Sequence, residues 1–159
     1  FVLLLKDRGF SLQQGGDLLF VFQVGAVIGG FVGGWISDVI GRSPVIWISL
    51  LFSTPCLLTS LYDTSSLLPI WLFLGGFMNM ASNSVSVAMA QELVPKSAGT
   101  ASSFPMGFSW GAAGGALIIF GSIADQIGVI PTLDILSLIP LAGVVLALFL
   151  PRGGESQKK

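Results

Sequence analysis

The sequence predicts an all-α, polytopic membrane protein, a bundle of transmembrane helices, and three observations carry that prediction. The 159 residues are 53% hydrophobic and 9% charged, with a mean hydropathy of +0.88, outside the composition of a soluble domain. The charges are spaced to leave 20 uncharged residues between Asp17 and Asp38 and another 20 between Arg42 and Asp63, each the length of one helical bilayer crossing. The apolar runs are unbroken, whereas a transmembrane barrel needs short strands of alternating polarity.

Five complete spans follow in order, at about 18–37, 44–62, 67–91, 99–123 and 131–150. The third and fourth sit in charge-free runs of 28 residues, Asp63 to Glu92 and Lys96 to Asp125, and the fifth in 17 uncharged residues between Asp134 and Arg152. Residues 1–5, FVLLL, read as the end of a truncated span, because a secretory signal needs a basic start and a cleavage site that this stretch lacks. The connections LKDRGFSLQQGGD, YDTSS, ELVPKSAG and ADQIGVIP carry the Gly, Pro, Ser and Asp of chain turns. Lys and Arg set orientation. Arg42, Lys96, Arg152, Lys158 and Lys159 gather on one face and Lys6 and Arg8 on the other, so the first face, with the tail 151–159, is expected in the cytoplasm of a cell inner or plasma membrane.

Composition also narrows the chemistry. There is no histidine, the commonest general base and zinc ligand. Cys56 is the single cysteine, which leaves no disulfide framework and no thiolate metal site. The seven basic residues are scattered, so no stripe tracks a nucleic-acid backbone. Gly107-Phe-Ser-Trp-Gly111 fits the G-x-S-x-G of serine hydrolases, but that elbow needs a preceding strand and a histidine to activate the serine. Ser109 instead lies inside a charge-free span. No catalytic residue, metal or cofactor is expected.

An internal repeat gives the architecture. At an offset of 87 residues GWISDVIGRSP (34–44) lies over GSIADQIGVIP (121–131), identical at six of eleven positions. The offset is three spans, an odd number, which puts the two copies on opposite membrane faces: a 3+3 inverted repeat, as in many secondary transporters. The same offset carries FVLLL onto the end of the third complete span. Turn chemistry at helix ends could also make Gly and Asp recur.

The pattern Gly34-x3-Asp38-x2-Gly41-Arg42 resembles the signature loop of the major facilitator superfamily, whose common form is G-x-L-A-D-R-x-G-R-K. With QELVPKSAGTASSFPMGFSWG and GSIADQIG it is similar to the C-terminal six-span half of a twelve-span transporter of the fosmidomycin-resistance type, over essentially the whole chain. The resemblance implies a gate closing the cytoplasmic face: Asp38 addresses a helix of the missing N-terminal half, and Arg42 pairs with Glu92. Val39 and Ser43 stand where the usual pattern has basic residues, which weakens such a gate. The alternative is an interfacial helix cap with solvated charges.

Two further sets of residues are candidates. Gly25, Gly29 and Gly33, and likewise Gly107, Gly111 and Gly115, are spaced by four and line helix faces that admit a neighbouring backbone, for sliding or for static packing. Asn79, Asn83 and Ser86 share a helical face and form either a cavity wall that hydrogen-bonds a polar substrate or a set of interhelical hydrogen bonds. Gln23 and Trp110 join the substrate-pathway candidates.

The expected function is secondary active transport of a small organic molecule by alternating access, as efflux in exchange for protons. The alternatives are a major facilitator importer of sugars or organic acids and a non-transporting membrane scaffold. Asp134, near the outer end of the last span, is the one ionisable residue within the spans, so either the proton carrier lies in the missing half or transport is not proton-driven. The expected partners are the bilayer, the small-molecule substrate and that half.

Overall fold

The computed structural model describes residues 2–150, which form six helices: α1 Val2–Asp7, α2 Leu12–Ile40, α3 Arg42–Tyr62, α4 Leu68–Leu93, α5 Ala98–Ile127 and α6 Val129–Ala147. A 3-10 turn, Pro95–Ser97, joins α4 to α5, and there is no strand among the described residues. The tail 151–159, with Arg152, Lys158 and Lys159, lies outside the described residues, as does Phe1.

The helices differ from the charge-free runs mainly at their ends. α2 begins at Leu12 rather than near residue 18, because Ser11 and Gln14 make a reciprocal cap. The Gln14 N–H donates to Ser11 Oγ (3.1 Å) and the Ser11 N–H to Gln14 Oε1 (2.8 Å), which satisfies two of the free donors at a helix start. The long polar connection expected before the first complete span thus shrinks to the turn after α1. α5 runs past Asp125 to Ile127, and the expected connection to the last span contracts to Gly128. Among the described residues four segments are long and apolar enough to cross a membrane: α2, α3, Pro95–Ile127 and α6. α4 has the length, at 26 residues, but Asn79, Ser82, Asn83, Ser84 and Ser86 dilute its hydropathy.

Successive helices joined by short turns run in alternating directions, so the bundle has two ends. Arg42, Glu92 and Ala147 mark one, and Tyr62, Leu68 and Val129 the other. α4 sits at the centre against α2, α3 and α5, while α6 packs on α3. At the Arg42 end Val45, Ile46, Val85, Met89 and Ala147 form an apolar cluster. At the Tyr62 end Leu5, Leu18, Leu68 and Leu72 do the same and hold α1 against α2 and α4. Large apolar side chains elsewhere point outward, Phe31 at 78%, Trp110 at 79% and Ile118 at 78% exposure, which lipid tolerates and water does not.

The α2–α4 crossing is built on glycine. A Cβ placed on Gly25 would stand 2.2 Å from the Phe73 carbonyl oxygen, on Gly29 2.0 Å from that of Phe77, and on Gly33 2.6 Å from the Ala81 Cβ. The relation is mutual, since a Cβ on Gly76 would stand 2.2 Å from the Phe22 carbonyl oxygen. Backbone packs on backbone here, and dispersion over that area substitutes for the hydrophobic drive that lipid removes. Gly107, Gly111 and Gly115 of α5 differ: a Cβ at any of them meets nothing within 4 Å among the described residues, so the close approach their spacing suggests is not made among those residues.

Several hydroxyls in the bundle are satisfied by their own helix. Ser53 donates to the Leu50 carbonyl (2.8 Å), Ser60 to Leu57 (2.7 Å), Ser86 to Ser82 (2.7 Å) and Thr132 to Gly128 (2.8 Å), which removes the cost of a bare hydroxyl in an apolar setting. Ser43 instead reaches across to the Ala147 carbonyl of α6, at 3.3 Å.

Candidate functional site

Gly41 starts the construction. It closes α2 and opens α3 with φ 96° and ψ 159°, and its N–H donates to the Ser37 carbonyl, a backbone region open essentially to glycine alone. One repeat later Gly128 joins α5 to α6 with φ 94° and ψ 161°, its N–H on the Ala124 carbonyl. The two copies of the sequence repeat therefore make the same corner, and the corners lie at opposite ends of the bundle.

The Gly41 corner turns Arg42 back over the end of α2 and towards α4. Its Nη2 donates to Glu92 Oε1 at 2.7 Å and its Nε to the same oxygen at 3.1 Å. Nη1 pairs with Asp38 Oδ1 at 2.7 Å and also donates to Ser37 Oγ. Ser37 is 2% exposed and passes its own proton to the Gly34 carbonyl at 2.7 Å. The arginine is thus enclosed by two carboxylates and a hydroxyl, itself 16% exposed while Asp38 and Glu92 are 61% and 48% exposed. With both carboxylates this open to solvent, each pair contributes about 1 kcal/mol at most. That is enough to hold two helix ends together and weak enough to release. A Cβ on Gly34 would meet nothing within 4 Å, and Asp38 stands on the exposed side of this clasp.

The second feature is a groove of about 530 Å³ between α2 and α4, lined by Gln23, Ala26, Val27, Gly30, Phe31, Met80 and Ser84. Gln23 lies in it. Asn79 and Asn83 are exposed on α4 and are not among the residues lining the groove, so of the three carboxamides only Gln23 is placed in it. Ser86 is partly buried with its hydroxyl committed to Ser82, and Trp110 projects from α5 outside the groove lining. The sequence reading missed Ser84, whose Oγ stands 3.0 Å from where a Gly30 Cβ would be; its signal was a place one turn after Met80. It also missed Ser37, which carried none beyond lying next to Asp38. Ser109 lies mid-way along α5, which is not the strand-to-helix turn of a nucleophile elbow.

The profile described as Major Facilitator Superfamily matches residues 1–159. The chain belongs to the major facilitator superfamily. Among members of this superfamily it is 36% identical over 141 residues to the "Uncharacterized MFS-type transporter YfnC" of Bacillus subtilis, covering 89% of this chain and 34% of that protein. It is 32% identical over 148 residues to the "Fosmidomycin resistance protein" of Escherichia coli, covering 93% of this chain and 36% of that protein. It is 30% identical over 94 residues to the "Gallate transporter" of Pseudomonas putida, covering 58% of this chain and 21% of that protein. The chain spans about a third of the length of the first two relatives. No solved structure gives a significant match.

Proposed function

We propose that this major facilitator chain is the C-terminal six-span half of a twelve-span secondary transporter, which exports a small organic molecule by alternating access in exchange for protons. The observation that carries the reading is the Arg42 clasp. A single guanidinium joins the α2–α3 corner to the end of α4 through exposed carboxylates, a contact strong enough to bias a two-state equilibrium and weak enough to reverse. The glycine-lined α2–α4 crossing supports the same reading, since smooth backbone surfaces can shift past each other.

In this reading Arg42, Asp38 and Glu92 close the cytoplasmic end, and the open surface at Gly34 receives a helix of an N-terminal half. Gln23 hydrogen-bonds the substrate in the groove, with Asn79, Asn83, Ser86 and Trp110 on the same pathway. Gly107, Gly111 and Gly115 pack against the other half. The protein lies in the inner or plasma membrane with its C-terminal tail in the cytoplasm. The direction of transport comes from the Escherichia coli relative, whose name is resistance to a drug. The Pseudomonas putida relative favours a second reading, uptake of an organic acid.

Inverted membrane vesicles carrying the full-length transporter decide between them. A pH gradient, acidic inside, should drive a dye or drug into the vesicles as protons leave, and Arg42→Gln should reduce that flux at least tenfold. Uptake of organic acid by right-side-out cells, with no drug flux in the vesicles, would establish the second reading instead.

A further inference from the structure

Ser37 continues the stripe of α2 that faces α4. It stands four residues after Gly33, as Gly33 does after Gly29 and Gly29 after Gly25, and all four are buried. The three glycines let α4 come close; the fourth member carries an oxygen. The proton of that hydroxyl goes to the Gly34 carbonyl at 2.7 Å, so its lone pairs are left to accept, and what they accept is Nη1 of Arg42. A hydroxyl whose hydrogen is engaged elsewhere selects a donor. At 2% exposure water does not compete for it.

The inverted repeat supplies a comparison within the chain. One repeat later Ala124 stands in place of Ser37 and Val129 in place of Arg42, while Asp125 keeps the place of Asp38 and Gly128 that of Gly41. The corner is unchanged: the Gly128 N–H donates to the Ala124 carbonyl as the Gly41 N–H does to the Ser37 carbonyl, with matching φ and ψ. The hydroxyl is therefore not needed to turn the chain. It is present where the arginine is present.

The geometry shows what it does there. Asp38 alone could hold Arg42 back against α2 as an i, i+4 pair, leaving α4 free. Ser37 instead takes Nη1 from the buried side while Asp38, 61% exposed, takes it from the open side. With Nη1 fixed between them, the planar guanidinium turns its opposite edge, Nε and Nη2, onto Glu92 Oε1.

We propose that Ser37 is the positioning residue of the clasp: by accepting from Nη1 it fixes the plane of Arg42, so that the Nε–Nη2 edge meets Glu92 and the α2–α3 corner stays tied to α4 within this half. The inference rests on the clasp reading above. It also sets how the clasp answers to salt. Ions screen the pairs with the two exposed carboxylates, whereas the buried bond to a neutral hydroxyl is left intact, so the wild-type orientation of Arg42 should change little with ionic strength.

The test uses the full-length transporter in lipid, labelled with 15N-arginine, the Arg42 signal being the one lost in Arg42→Lys. Exchange of its Nε proton with water reads how firmly that edge is held. Ser37→Ala should speed the exchange about tenfold, the size expected for a hydrogen bond to a charged group, and the increase should grow with salt. Ser37→Thr, which keeps the hydroxyl, should stay near wild type. A second readout places a cysteine at Met89, buried three residues before Glu92 on α4, with Cys56 replaced by Ser. Ser37→Ala and Arg42→Met should each raise its labelling by N-ethylmaleimide, and the double variant should do no more than Arg42→Met alone.

Nε exchange unchanged in Ser37→Ala, or a Ser37→Ala effect on labelling that persists in full on top of Arg42→Met, would overturn the proposal. A serine that only packs would lower thermal stability and leave the Arg42 signal as in wild type. The two readings fail separately. If Arg42→Gln abolishes vesicle flux while Ser37→Ala leaves Nε exchange alone, the positioning role fails by itself. If Ser37→Ala speeds the exchange while Arg42→Gln leaves flux intact, Ser37 positions Arg42 as proposed and the clasp has no part in transport.

Discussion

Replacing Gly29 with alanine tests the α2–α4 crossing at its tightest point. The added methyl would stand 2.0 Å from the Phe77 carbonyl oxygen and 2.6 Å from the carbonyl carbon and Cα of the same residue. Carbon contacts settle near about 3.5–4.0 Å, so the two helices must part by about 1 Å or more, and the obstacle is backbone that cannot swing aside. Overpacking of this kind costs about 3 kcal/mol, the upper part of its usual range. Alanine returns about 1 kcal/mol through its better helix propensity, leaving a net loss of about 2 kcal/mol, a factor of about 30 in the folded ratio. Thermal unfolding in detergent measures it. Gly111→Ala is the matched control, because its Cβ meets nothing within 4 Å and only the propensity gain applies. The reasoning is refuted if Gly29→Ala is as stable as wild type, or if Gly111→Ala in the isolated 159-residue chain is equally damaging. A loss from Gly111→Ala that appears only in full-length protein would instead locate the α5 glycines at a contact with the other half.

Gly41→Ala and Gly128→Ala should each cost about 1–3 kcal/mol through backbone strain alone, read as similar falls in unfolding temperature, because both corners share one φ/ψ pair. Glu92→Gln keeps the size of the acceptor and removes its charge, so it should loosen the Arg42 end and raise labelling of a cysteine placed at Lys96, whereas Lys96 labelling unchanged from wild type would deny the clasp any hold on α4. Hydrogen bonds from Ser65, its hydroxyl first and its backbone N–H second, hold the Asp63 carboxyl below its usual range. The stability this supplies is therefore present above the ordinary aspartate pKa and lost as pH falls through the lowered one. Asp63→Ala should accordingly destabilise the α3–α4 turn at neutral pH, with the difference from wild type vanishing in strong acid.

What the sequence made legible follows the range of the forces involved. Helix existence is set by runs of uncharged residues and by the need to satisfy the backbone in lipid, so all five long helices could be read directly. Helix ends depend on local caps. The start of α2 is expected near residue 18 although the Ser11–Gln14 capping box that sets it at Leu12 is in the sequence, and the connection before the last span reads as several residues where the structure has Gly128 alone. The pairing of Arg42 with Glu92, 50 residues apart, was accessible only through the family's pattern, since no local rule joins them. The hydrogen bond from Tyr62 to Asp134 carried no pattern of any kind. Ser84 looked like one more hydroxyl in SNSVS until α2 crossed above it. The α5 glycines show the converse: their spacing permits close approach, and whether a partner arrives is decided by the rest of the fold.

The inward-turned hydroxyls of Ser53, Ser60, Ser86 and Thr132 bear on how cheaply this bundle could be rearranged. Each keeps its proton on a carbonyl of its own helix, so one rod can rotate or translate along another without stranding a polar atom in hydrocarbon. The friction of the motion is then left to shape and to the few charged fastenings at the rims, and the middle of the protein behaves as a bearing.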